Sequence, residues 1–81
     1  MLMIKTRLRQ LREELTNPKM SQEAIARKAG VSLQWYRLLE TGQQTNTSLT
    51  TAKALLNAFN TERLSRSQTT LTIDQLDLNI V

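Results

Sequence analysis

The chain has 81 residues, 40% of them hydrophobic and 22% charged, which suits one small soluble domain and leaves no room for a second core. It contains neither Cys nor His, so thiol nucleophiles, Ser-His and Cys-His catalytic pairs, disulfides and Cys/His zinc sites are excluded together. No apolar run approaches the roughly 18 residues of a membrane span, and Met1 to Ile4 gives way to Lys5, Arg7 and Arg9 rather than to a signal-peptide core. A cytoplasmic protein that needs no metal or cofactor is expected.

Charge points to a partner. The eleven Lys and Arg exceed the seven Asp and Glu for a net +4, and every basic residue lies at or before Arg66, opposed there only by Glu13, Glu14, Glu23, Glu40 and Glu62. Beyond it stand Asp74 and Asp77 alone. A basic body with a faintly acidic tail suits nucleic acid, because each neutralised phosphate releases condensed counterions; a plain solvated basic surface is the other reading.

In chain order, Ile4, Leu8, Leu11 and Leu15 recur at spacings of four, three and four, one stripe of a first helix, with Lys5, Arg7, Arg9 and Arg12 largely off it. Asn17-Pro18 stops that helix, since proline disfavours helical geometry in the residue before it and has no N–H to donate. Ser21 then offers a cap, Glu23 suits the positive end of a helix dipole, and Gly30 supplies a left-handed stop, so Gln22 to Ala29 reads as a short helix burying Ile25 and Ala26. Ser32 caps the next, Leu33 to Glu40, which Gly42 closes. The polar run Gln43 to Ser48 reads as a loop. Leu49, Ala52, Leu55, Leu56 and Phe59 mark a fourth helix, with Thr61 to Arg66 as a further turn or two. Thr72 with Gln75 three residues on matches a capping box before Leu76, so a short final helix is expected; Leu78 to Val81 is too short to assign. No strand pattern, internal repeat or low-complexity tract is evident, and the fold class is all-α, a compact bundle of four to five short helices. Its expected core is Leu8, Leu11, Leu15, Ile25, Ala26, Val31, Tyr36, Leu39, Leu49, Ala52, Leu55, Leu56 and Phe59.

Two short helices joined by a tight glycine turn have the geometry of a helix-turn-helix, whose second helix enters the DNA major groove. Ser21-Gln22, Ala26, Gly30-Val31-Ser32, Glu40 and Gly42 fall in register with the flanking helices. Over about residues 4 to 60 the sequence resembles the lambda-repressor and Cro type of helix-turn-helix, the xenobiotic-response-element (XRE) family. That resemblance implies a lambda-repressor-like DNA-binding domain at 1–66, its motif at about 21–41, with a C-terminal tail at 67–81 as a candidate dimerisation segment. Ala26 is small so that the two motif helices can cross closely, and Gly30 permits the positive φ of the turn. In relatives Glu40 pairs with an arginine of the first helix, by register Arg12, and Arg12, Glu40, Ala26 and Gly30 are read as scaffold.

The resemblance also implies that Gln22 supports a phosphate or a neighbouring recognition side chain and that Leu33, Gln34, Arg37 and Leu38 face the bases. Gln can read adenine through N6 and N7, Arg can read guanine through O6 and N7, and leucine contacts only a thymine methyl or sugar carbons. Arg37 could instead hold phosphate, and Leu38 could complete the core. Phosphate contacts are expected from Gln22, from Thr41, Gln43, Gln44, Thr45, Asn46 and Thr47, and from Lys19, Arg27 and Lys28, with an ordinary solvated loop as the alternative for the polar run. Three features depart from the family pattern: a loop at Thr16 to Met20 a few residues longer than usual, Tyr36 in place of Ile or Val, and Trp35 in place of a small polar residue. Trp35 could pack on sugar, shield Leu38, join a partner surface or fold into the core.

The leading functional expectation is a sequence-specific regulator, a repressor, binding double-stranded DNA as a homodimer on a pseudo-palindrome. Leu64, Leu71, Ile73, Leu76, Leu78, Ile80 and Val81 offer apolar area for the dimer or for folding back on their own domain. The alternative is an antitoxin or phage-type accessory protein whose tail binds a different protein partner. An enzyme is not expected, since Asp74 and Asp77 make no metal-competent cluster, nor is a membrane role, since the leucine stripe of the first helix is needed for the core.

Overall fold

The computed structural model describes residues 6–44 and 46–81, so Ile4, Lys5 and Thr45 lie outside the described residues. Four helices follow in order, α1 (Leu8–Glu13), α2 (Gln22–Ala29), α3 (Leu33–Thr41) and α4 (Leu49–Ser65), and a 3-10 turn spans Ile73–Leu76. Strands β1 (Asn46–Thr47) and β2 (Asn79–Ile80) pair in parallel, Asn46 with Asn79 and Thr47 with Ile80.

Local chemistry explains most of these boundaries. Ser21, Ser32 and Ser48 are extended, and each accepts with its hydroxyl the N–H three residues on, from Ala24, Trp35 and Thr51. Gly30 ends α2 at φ 75°; its own N–H and that of Val31 donate to Arg27 and Ala26, satisfying two carbonyls the helix leaves free. Gly42 ends α3 at φ 82°. Helix α1 is shorter than its leucine stripe and stops at Glu13. The chain then passes through turns in which Leu15 stays buried and Asn17 is left-handed at φ 54°.

Helices α2 and α3 pack on each other, with α1 against α3 and α4 against α2. The core joins Leu8, Leu11, Leu15, Ile25, Ala26, Tyr36, Leu39, Leu55, Ala58 and Phe59, with Val31, Trp35 and Leu56 partly buried against it. Thr6 anchors the start of α1 by donating its hydroxyl to the Leu39 carbonyl at 2.6 Å. One expected core member is corrected: Leu49 is 47% exposed, because it stands in the first turn of α4 and the apolar stripe is buried only from Ala52 onward. Residues 61–65 continue α4 without a break.

The tail folds back on its own domain. Left-handed Ser67, φ 58°, reverses the chain, and Gln68 donates its backbone N–H to Arg63 at 2.8 Å and its amide to Glu14 at 3.0 Å. The Asn60 side chain then receives the Leu71 N–H at 2.7 Å and donates to the Leu71 carbonyl at 3.1 Å. Leu71 and Leu76 thereby join the core, as the expectation of a tail folded back on its own domain has it, and Leu78 packs on it in part. Gln75 accepts the Thr72 N–H at 2.7 Å, so the capping-box pattern starts a single 3-10 turn rather than an α-helix. The remaining difference is β1–β2, two residues a side in segments read as loop and unassigned. Among the described residues no helix is long and apolar enough to cross a membrane.

Candidate nucleic-acid interface

Tyr36, Leu39 and Glu40 turn one side of α3 into the core. At 100° per residue the opposite side carries Gln34, Arg37, Leu38 and Thr41. Gln34, Arg37 and Thr41 are exposed, and Leu33 and Leu38 are half-buried. Trp35 packs against the core, so of its four readings the packing one describes it. Ser32 as cap leaves the start of α3 outward and its first N–H groups partly free.

Behind that surface lies a chain of polar contacts. Arg12 donates Nε to Glu40 Oε2 at 2.6 Å and Nη2 to Oε1 at 3.1 Å, and its Nη1 reaches the Met20 carbonyl at 3.2 Å. The Glu40 side chain is 2% exposed and that of Arg12 17%. Gln22, first residue of α2, donates its amide to Glu40 Oε1 at 3.0 Å and accepts Arg37 Nε at 3.2 Å. Burial by itself pushes the Glu40 carboxyl up, but the bonds from Arg12 and Gln22 hold it below the usual range. The same pair raises Arg12 through its bond to Glu40. Tyr36, wholly buried and without a hydrogen-bond partner for its hydroxyl among the described residues, is held neutral by burial first and by the Glu40 charge second.

An open groove of about 720 Å³ runs between α1 and this network. Arg7, Arg9 and Arg12 line it with Gln10, Gln22 and Thr41, against Glu13 and Glu40. By sequence these arginines lie off the leucine stripe, which gives Arg7 and Arg9 no place at an interface; their nearness to the start of α2 depends on how α1 docks.

The described basic residues fall into two sets. Arg9, Arg12, Arg27, Lys28, Arg63 and Arg66 each pair with a glutamate. Among the described residues Arg7, Lys19, Arg37 and Lys53 make no ion pair, so the exposed arginine of α3 has no carboxylate beside it there. Several residues considered for phosphate contacts have other engagements. Lys28 is held by Glu62 of α4, and Arg27 binds Glu23 at 2.7 Å with both side chains largely in solvent. Asn46 accepts the Asn79 amide at 2.6 Å, and Gln44 donates to the Asn46 carbonyl at 2.8 Å. Thr47 is corrected: at 4% exposure, in β1, its side chain is out of reach of a phosphate. Lys19, Thr41 and Gln43 are exposed, and Thr45 lies outside the described residues.

Over residues 6–68 the sequence matches the family model of a helix-turn-helix domain. No curated protein and no solved structure matches it. A capped α2, a left-handed glycine turn and a capped α3 make a helix-turn-helix in this structure, and with most of its length matched the chain belongs to the helix-turn-helix domain family.

Proposed function

We propose that the protein is a sequence-specific repressor of the XRE type, binding double-stranded DNA on a pseudo-palindromic operator as a homodimer in the cytoplasm, at the nucleoid. Its action is binding, with no catalytic step. In this reading α3 lies in the major groove, Gln34 reads adenine, Arg37 reads guanine, and Leu33 and Leu38 contact thymine methyls or sugars. Phosphate contacts come from Gln22 and the start of α2, from Thr41, Gln43 and Lys19, and from Arg7 in the basic groove.

The observation that carries the proposal is the outward side of α3, where Gln34 and Arg37 are exposed and Arg37 has no carboxylate partner among the described residues. One such motif makes few base contacts, and joining two half-sites multiplies affinity without new chemistry. Leu64, Ile80 and Val81, at 63%, 38% and 80% exposure, are the apolar residues through which two copies would meet, and the same residues would serve a different protein partner.

The test is a fluorescence-anisotropy titration against random duplexes at two salt concentrations, with selection and sequencing of the bound fraction. One palindromic motif should emerge and be lost or relaxed in Gln34→Ala and Arg37→Ala, with a dimer mass by sedimentation. Salt-sensitive binding with no enriched motif would reduce the protein to a basic helical module. A stable monomer would turn attention to a protein partner for the tail.

A further inference from the structure

We infer that Glu40, a buried residue, is a positioning residue for Arg37: acting through Gln22 it pins the Arg37 Nε and leaves the two terminal nitrogens to meet a base edge. This rests on the reading of α3 as the recognition helix.

The argument is one of donor and acceptor sense. An ionised carboxylate only accepts. Glu40 Oε1 faces the Gln22 side-chain nitrogen at 3.0 Å, so the amide cannot be reversed without setting a carbonyl against a carboxylate. Glu40 itself cannot turn away, since Arg12 grips both of its oxygens at 2.6 and 3.1 Å and is itself tied to the Met20 carbonyl. The Gln22 carbonyl is therefore obliged to face outward, and there it accepts Arg37 Nε at 3.2 Å. Each link sets the sense of the next, from the core to the exposed surface.

Two consequences follow for recognition. Position 37 must carry a donor to complete the chain. With Nε engaged, the edge of Arg37 that stays open is the pair of terminal nitrogens, and these match two acceptors side by side, as guanine O6 and N7 present. A long flexible side chain held in this way loses less freedom when it binds. Gln22 thereby couples whatever it contacts on the DNA backbone to the orientation of a base-reading side chain.

The test has two arms. In the free protein, nitrogen-detected NMR of the arginine side chains should show the Arg37 Nε–H exchanging with water about two- to tenfold more slowly than in Gln22→Met, which keeps the length of the side chain and removes its polarity. Glu40→Gln, which offers Gln22 a donor as well as an acceptor, should lose part of that protection. Equal exchange in the wild type and Gln22→Met overturns the relay, whatever happens on DNA. In the second arm, sites are selected with the wild type, Gln22→Met, Arg37→Ala and the double variant. The base preference abolished by Arg37→Ala should relax by roughly fivefold in Gln22→Met while other positions hold, and Gln22→Met should relax nothing further once Arg37 is gone. A uniform loss of affinity at all positions would make Gln22 a phosphate contact only and overturn the coupling. If the wild type selects no site at all, the functional reading fails, and the exchange arm alone still decides the relay.

Discussion

Removing Glu40 while leaving Arg12 is the sharpest test of how this domain is held together. In Glu40→Ala the guanidinium loses two bonds of 2.6 and 3.1 Å, Gln22 loses its acceptor, and a cation with only 17% of its side chain in solvent keeps the Met20 carbonyl alone. Breaking a buried pair from one side typically costs about 3–5 kcal/mol. Because Arg12 retains some solvent, we expect about 3 kcal/mol. For a domain of this size that corresponds to a fall in Tm of roughly 12–24 °C and to a large share of a total stability of about 5–15 kcal/mol. The assay is urea and thermal unfolding followed by circular dichroism and by the fluorescence of Trp35, the sole tryptophan. The paired replacement Arg12→Met with Glu40→Leu should recover most of the loss, since an apolar pair removes both charges together. A Glu40→Ala penalty under about 1 kcal/mol, or single penalties that simply add in the double variant, would refute a buried coupled pair.

Acid should unfold the protein through two carboxylates. Glu40 is held below its ordinary value of 4.5 because the bonds from Arg12 and Gln22 outweigh burial, and Glu62 is lowered by Lys28 first and Arg66 second. Since both carboxyls ionise more readily folded than unfolded, their contribution is complete above pH 4.5 and is lost as pH falls through the folded values; Glu40→Gln and Glu62→Gln should each flatten the acid limb of a stability-versus-pH curve. Gly30→Ala should cost about 1–2 kcal/mol in urea unfolding, from backbone strain at φ 75° alone, because an added Cβ meets nothing within 4 Å, and Gly30→Asn should cost less. Asn60→Ala, which strips both bonds from the Leu71 backbone, should cost about 1–3 kcal/mol and open the tail to proteolysis after Ser67; an unchanged cleavage pattern would mean that apolar packing alone holds the tail.

What could be read from the chain without coordinates follows the range of the interactions. Ser21, Ser32, Gly30 and Gly42 act within a few residues, and the bounds of α2 and the tight turn are legible for that reason. Ser48 is the same device hidden in a polar run, where neighbouring hydroxyls and amides mask the cap. Leu49 continues a helical stripe, yet periodicity cannot tell where a stripe outruns its partner. Leu71 and Leu76 have no repeating pattern of their own and find their place only because α4 offers Asn60 and the core surface beside it. At the candidate interface the α3 residues are readable from register, whereas the engagement of Lys28 joins residues 34 positions apart and the bond of Arg37 to Gln22 spans 15. Two-residue strands carry no alternation to detect.

The β1–β2 bridge depends on the packing beneath it. It joins Asn46 to Asn79 across 33 positions, and closing a flexible loop of that length costs roughly 3 kcal/mol before any contact repays it. Two short strands cannot meet that alone. The burial of Leu71 and Leu76 and the bonds from Asn60 to Leu71 shorten that gap, so the bridge depends on the docking of the tail onto α4. Its amides, that of Val81 bonded to the Thr47 carbonyl among them, stand as a gauge of whether the tail is docked.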